Sequence, residues 1–257
     1  TWFEDIERYV TLEPEQFAYA LLTGSQRVGH ASLKARDPGY IAGVERWFAQ
    51  RCGLPDAPVP PMFTPYHLRG MHLANRVVVS PMCTYSAIDG LPTPFHATHY
   101  GARALGGAGL LITEMTCVSP DARITPGCTG LWNDAQQQAW TAIVEQVHAS
   151  GTARIALQIG HAGRKGATRL AWDGIDQPLE QGAWPLWAPS ALPYIEGVSQ
   201  VPQVMTEADM DRVQADFVAA TQRAAAAGFD MVEFHAAHGY LMSSFISPLT
   251  NQRTDAF

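Results

Sequence analysis

The feature that most restricts how this chain can fold is a repeat. Short runs that are apolar through their middle alternate with segments of helix length and helical periodicity. The runs are residues 76–80, 109–114, 154–158 and 230–235. A run that is apolar throughout, rather than alternating, is what a strand buried on both faces of a parallel sheet requires. Three of the four follow a helical segment that carries start and stop signals. Thr93 with Pro94 opens the first, as N-cap and first helical residue, and Gly106-Gly107 closes it. Asn133 or Asp134 caps the second, in which Trp140, Ile143, Val144 and Val147 recur at helical spacing before Gly151. Thr206 and Asp209 form a capping box on the third, which turns Met210, Val213 and Phe217 inward and stops at Gly228.

Repeated βα units leave two main architectures, an open doubly wound sheet or a closed (β/α)8 TIM barrel. No run is followed by a G-x-G-x-x-G turn, which counts against the dinucleotide-binding sheet. All four runs end in a polar residue, Ser80, Glu114, Gln158 and His235, and barrel enzymes draw their chemistry from the carboxyl ends of several strands. The expected fold is therefore α/β, a (β/α)8 barrel of which only about the first half is present, since four strands are visible where a barrel has eight. Residues 159–205 form one long connection containing Trp172, Trp184 and Trp187, a composition that suits an ordered lid or pocket wall.

The start of the chain differs. Tyr40, Ile41, Val44, Trp47 and Phe48 share one helical face, and Pro55, Pro58, Pro60 and Pro61 make a semi-rigid connector. The expected division is residues 1–58, a helical tail plus linker, and 59–257, the half barrel. At 257 residues with 47% apolar and 16% charged side chains the chain can bury a core. A formal net charge of −7 gives no basic footprint for nucleic acid or an anionic membrane. No run reaches the roughly 18–20 apolar residues of a membrane span, and the first residues lack the order of a signal peptide, so a cytoplasmic location is expected. The four cysteines form no C-x-x-C pair and read as reduced thiols. The absence of an initiator Met and a loop-like ending suggest an excerpt of a longer protein.

Several side chains could carry chemistry. His235-Ala236-Ala237-His238-Gly239-Tyr240 places two imidazoles three residues apart at a strand-to-loop turn, able to hold a substrate oxygen, with a phenol that can donate a proton just beyond. The same pair could be structural, or could be two ligands of a metal-dependent barrel hydrolase, although no third ligand has a defensible spacing and no metal is expected. Cys83, in Ser80-Pro81-Met82-Cys83-Thr84-Tyr85, could be nucleophile, redox modulator or filler. Gln158 offers an amide, and His161 to Lys165 a small-residue turn with two cations. His96 and His99 read as a solvated or packed helix face, and Cys52, Cys117 and Cys128 as structural.

In this order, Ser80-Pro81-Met82-Cys83-x-Tyr85, His99-Tyr100-Gly101-x-Arg103-Ala104, Gly109-Leu110-Leu111-Ile112-x-Glu114, Gln158 with His161-Ala162-Gly163-Arg164-Lys165, and His235 to Tyr240 continuing to Ser247-Pro248-Leu249-Thr250-Asn251-x-Arg253-Thr254-Asp255 resemble the old yellow enzyme family of FMN-dependent oxidoreductases. The resemblance covers roughly residues 62–257. It implies a (β/α)8 barrel that carries FMN at the carboxyl ends of the strands, with NADH or NADPH as reductant. It implies that Ser80, Pro81, Met82 and Cys83 line the flavin, with Cys83 tuning it, and that Gln158 bonds the ring's polar edge. It implies that Met115 takes a flavin-contacting position where the family often has alanine. It further implies that His235 and His238 bind a substrate carbonyl oxygen, that Tyr240 and Tyr85 deliver a proton or touch substrate, and that Lys165 lies in the pocket wall. The phosphate-binding loops of such barrels follow later strands, so this excerpt alone is expected to bind FMN poorly.

A second resemblance rests on residues 17–27, His30 and Arg36-Asp37-Pro38. These are similar to the end of the flavin monooxygenase half in bifunctional salicylyl-CoA 5-hydroxylase and 2-aminobenzoyl-CoA monooxygenase/reductase proteins. It implies FAD in an upstream half and an aromatic acyl-CoA substrate. The expected partners are thus a small molecule, enone-like or aromatic acyl-CoA, and a second copy in a homo-oligomer. The alternatives are the metal-dependent hydrolase and a non-catalytic fragment.

Overall fold

A computed structural model describes residues 38–54 and 59–257. By its contacts the chain divides after Val77 into two units. The division lies beyond the proline cluster because the residues that follow the prolines bond among themselves on that side. Helix α1 (Pro38–Arg51) and a 3-10 turn (Pro61–Phe63) are followed by an antiparallel hairpin, β1 (Tyr66–Leu68) and β2 (Met71–Leu73). Arg76 donates to Thr64 Oγ1 at 2.9 Å and lays its guanidinium over the rings of Phe48 and Tyr66. The buried face of α1 is Ile41, Glu45 and Ala49, whereas Trp47, expected inside, is exposed. The residues that carry the second resemblance, up to Asp37, lie outside the described ones.

The second unit holds the repeat. Its elements are β3 (Val78–Val79), α2 (Pro94–Leu105), β4 (Leu110–Ile112), β5 (Thr116–Cys117), α3 (Asp134–Ala149), β6 (Arg154–Gly160), the short α4 (Ala171–Gly174), β7 (Trp187–Ala188), β8 (Gln203–Val204), α5 (Glu207–Ala227), β9 (Met231–Phe234) and α6 (Leu241–Ile246). The expected caps are present. Asn133 Oδ1 accepts from Gln136 N at 2.9 Å, Thr206 and Asp209 cap α5 reciprocally, and Gly228 ends it with φ 89°, a left-handed turn that only glycine takes without strain.

Strands β3, β4, β6 and β9 pair in that order and are all parallel. Chain order therefore equals spatial order. A doubly wound sheet reverses direction at a switch point, and a barrel does not, so the ladder is the first four strands of a (β/α)8 barrel. Ile155, Leu157 and Ile159 of β6 are fully buried, and with Leu111, Trp140, Val144 and Ala224 they make one core between sheet and helices. At the amino end of the strands Asp230 accepts from Ile155 N at 2.9 Å, His148 Nε2 at 2.8 Å and Arg154 at 3.2 Å. One carboxylate thereby ties β6, α3 and the start of β9 together.

Two features were not expected. The long connection, expected to be ordered, contains a second parallel pair, β7 with β8, that its composition did not announce, and its Trp172 is exposed. And between β4 and β5 the register against β6 changes: Ile112 pairs with Ala156 but Thr116 with Ile159, four residues on one strand against three on the other. This is a β-bulge, and its extra residue re-aims the side chains that follow.

Candidate active site

The site is built at the carboxyl ends of β3, β4, β6 and β9. His235 directly follows β9 and is buried, while His238 is in the exposed turn beyond. His235 Nε2 lies 3.1 Å from His238 Nδ1, and His235 Nδ1 accepts from Ala237 N at 3.2 Å. That pattern assigns the His235 proton to Nε2, donated to His238, and leaves Nε2–H of His238 as the pair's outward donor. Burial, then the neighbouring His238, holds the His235 imidazole below its ordinary pKa, so it stays neutral at neutral pH. Tyr240 packs beside the pair, tilted against His235 with ring centroids 4.7 Å apart and edge-on to His238 at 6.0 Å. Lys165 Nζ donates to the His238 carbonyl at 3.2 Å and sits over Tyr194 at 4.2 Å and Tyr240 at 5.5 Å. Four of the expected site residues thus meet directly.

Cys83 and Tyr85 come from the loop after β3. Burial, then the neighbouring Cys128 and Glu114, pushes the Cys83 thiol well above its ordinary range, so the sulfur is a thiol and not a nucleophilic thiolate. Burial and adjacent thiols likewise keep the phenols of Tyr85 and Tyr240 protonated, able to donate. Tyr85 at φ 51° and His238 at φ 58° are both in the left-handed region, a strain that non-glycine residues keep only where surroundings impose it. Ser80, Pro81 and Met82 continue from β3 into this loop, and Met82 is 64% exposed, a long apolar side chain presented outward.

Met115 and Gln158 complete the floor. A Cβ placed on Gly160 would lie 2.7 Å from Met115 Sδ and 3.2 Å from His235 Cβ. The thioether therefore occupies the space above Gly160, beside His235, and a side chain at 160 would displace it. Gln158, facing Glu233 in register, donates its amide to Glu233 Oε1 at 2.6 Å. Glu114 departs from expectation. Its carboxylate meets His96 Nε2 of α2 at 3.0 Å and accepts from Thr84 in the loop after β3. His96, read from sequence as a solvated or packed helix-face residue, is packed and wholly buried, and the one sequence signal of its bonding was its place three residues after the Thr93 cap. No group of three His, Cys, Asp or Glu side chains suited to a metal ion occurs among the described residues. No described helix is long and apolar enough to cross a membrane.

Comparison with known proteins identifies the family and the fold. The model of the NADH:flavin oxidoreductase / NADH oxidase family matches residues 61–257. A NADH:flavin oxidoreductase of Gibberella zeae is 43% identical over 200 residues, which cover 76% of this chain and 48% of that protein. A NADPH dehydrogenase of Halalkalibacterium halodurans is 43% identical over 198 residues, covering 76% and 54%. Among solved structures, morphinone reductase in complex with tetrahydroNAD superposes with a TM-score of 0.66 at 36% identity, covering 77% of this chain and 55% of that one. Old Yellow Enzyme from Pichia sp. AKU4542 gives 0.66 at 32%, covering 76% and 50%. The chain thus spans about half the length of the relatives it matches.

Proposed function

Because this chain belongs to the NADH:flavin oxidoreductase / NADH oxidase family, we propose that it is the substrate-facing half of an FMN enzyme that oxidises NADH or NADPH and reduces an activated C=C bond. When bound, FMN supplies a ring that accepts hydride from a nicotinamide and passes it to carbon. The donor set fits such a ring: exposed Met82 and the thiol of Cys83 are suited to its apolar face, and the Gln158 amide to its polar edge. His238 Nε2–H, oriented by His235, donates to the carbonyl oxygen that polarises the alkene and holds the negative charge that grows there. Tyr240 or Tyr85, kept protonated, gives the proton to the adjacent carbon. Lys165 forms the cationic wall.

The observation that carries this reading is the meeting of His235, His238, Tyr240 and Lys165 at one strand end. Residues 59–257 form the half barrel, and residues 1–58 the tail of a preceding monooxygenase half with its own FAD, which makes an aromatic acyl-CoA the substrate of the whole protein. The motifs in residues 17–38 support that extension. The test is the visible spectrum of the purified full-length protein, followed by NADH and NADPH oxidation with 2-cyclohexenone and with an aromatic acyl-CoA. A yellow protein that consumes reductant only with an acceptor is expected. A colourless protein that FMN cannot reconstitute contradicts the proposal.

A further inference from the structure

The buried His96–Glu114 pair takes no part in the chemistry above, yet it grips the loop that carries Cys83. Glu114 Oε1 accepts from the Thr84 hydroxyl at 2.7 Å and faces His96 Nε2 at 3.0 Å, and Oε2 accepts from Thr84 N at 3.2 Å. The next residue, Met115, belongs to the buried cluster against which Cys83 packs. One residue at the bulge, Glu114, therefore holds Thr84 by both its hydroxyl and its main-chain N–H, one residue from the Cys83 sulfur. The pair is itself fixed from α2. His96 Nδ1 accepts from Thr93 N at 2.9 Å, which assigns its proton to Nε2 and aims it at Glu114, and Tyr100 accepts from Glu114 N at 2.9 Å.

We propose that Glu114, oriented by His96, is a positioning residue that sets the Cys83 sulfur through Thr84 and so tunes the flavin beside it. The proposal rests on the FMN reading for its last step only. A buried pair of this kind adds little net stability over an apolar pair of the same shape, and its value lies in selecting one arrangement. Every polar neighbour of the Glu114 carboxylate is a donor, and three donors converging on one carboxylate admit a single loop position. The carboxylate also lies close enough to Cys83 to oppose formation of a thiolate.

The test compares full-length wild type, Glu114→Gln, Thr84→Val and Thr84→Ser. One readout is the rate at which iodoacetamide modifies Cys83 in the apoprotein, followed peptide by peptide by mass spectrometry. The other is the ratio of reduced to oxidised flavin in the holoprotein at one fixed solution potential. Glu114→Gln and Thr84→Val should each change the Cys83 rate at least fivefold, faster in Glu114→Gln, and the flavin ratio at least threefold. Thr84→Ser, which keeps the hydroxyl, should stay within twofold of wild type in both. Modification of buried Cys117 and Cys128 reports unfolding, and a Glu114→Gln protein that shows it leaves the Thr84 pair to decide. Rates or ratios within twofold of wild type in Thr84→Val, or a Thr84→Ser that behaves like Thr84→Val, overturn the proposal. A wild type that takes no flavin sinks the FMN reading instead, and the Cys83 rates then decide the placement of the sulfur alone.

Discussion

The two ends of the parallel strands are built differently. At the amino end Asp230 gathers a main-chain N–H, an imidazole and a guanidinium onto one carboxylate, and its donors all have a partner. At the carboxyl end Tyr85, Ala167, Asp176 and His238 take left-handed backbone angles, and the buried His161 Nε2, Arg164 Nε and Trp184 Nε1 have no hydrogen-bond partner among the described residues. Each unpaired buried donor costs about 1–3 kcal/mol and each strained backbone about as much. One end contributes stability and the other consumes it. A barrel keeps such costs where its substrate binds.

The largest expected effect concerns His161 at the carboxyl end. Burial holds its pKa down to about 4, with Asp121 opposing and Arg212 adding to the shift. Its folded value lies below its unfolded value, so the unfolded chain binds more protons between the two. Stability is full above about pH 6.5 and falls as pH drops toward 4, by at most about 3 kcal/mol. Denaturant titrations at pH 7 and pH 5 should show this loss, and His161→Gln should flatten it. An unchanged slope would place the pH sensitivity elsewhere. At the amino end, Asp230→Ala should cost about 1–3 kcal/mol, because it strands Ile155 N, and should leave the affinity of carbonyl ligands alone. A loss of ligand binding in that variant would erase the distinction between the two ends. Asn133→Ala removes one cap of α3 and should cost about 1 kcal/mol in the same titration, again without effect on the site.

Much of this was legible in the sequence because it is local. Thr93-Pro94, Asn133, the Thr206–Asp209 box and Gly228 act within one turn of helix, and each cap is where its residue type placed it. The strand repeat was legible because burial on both faces leaves an unbroken apolar run. What was not legible depends on pairing. The bulge at Glu114 exists only as a mismatch of register between β4, β5 and β6, and nothing in residues 109–117 alone announces it. The pairs β1–β2 and β7–β8 are two or three residues per strand, too short for any periodicity. The pairing of His96 was hidden for the same reason: its partner is 18 residues away on another element.

The most direct test of the account is a titration of the oxidised, flavin-loaded full-length protein with a phenolic ligand, read as the change in its visible spectrum. Wild type should bind; His238→Ala, which removes the outward donor, should weaken binding roughly 5- to 150-fold, as loss of a donor to a buried oxygen costs about 1–3 kcal/mol, and His235→Ala, which removes the group that orients His238, should weaken it by a smaller factor. Equal affinities in all three proteins would contradict the claim that the imidazoles after β9 face the flavin.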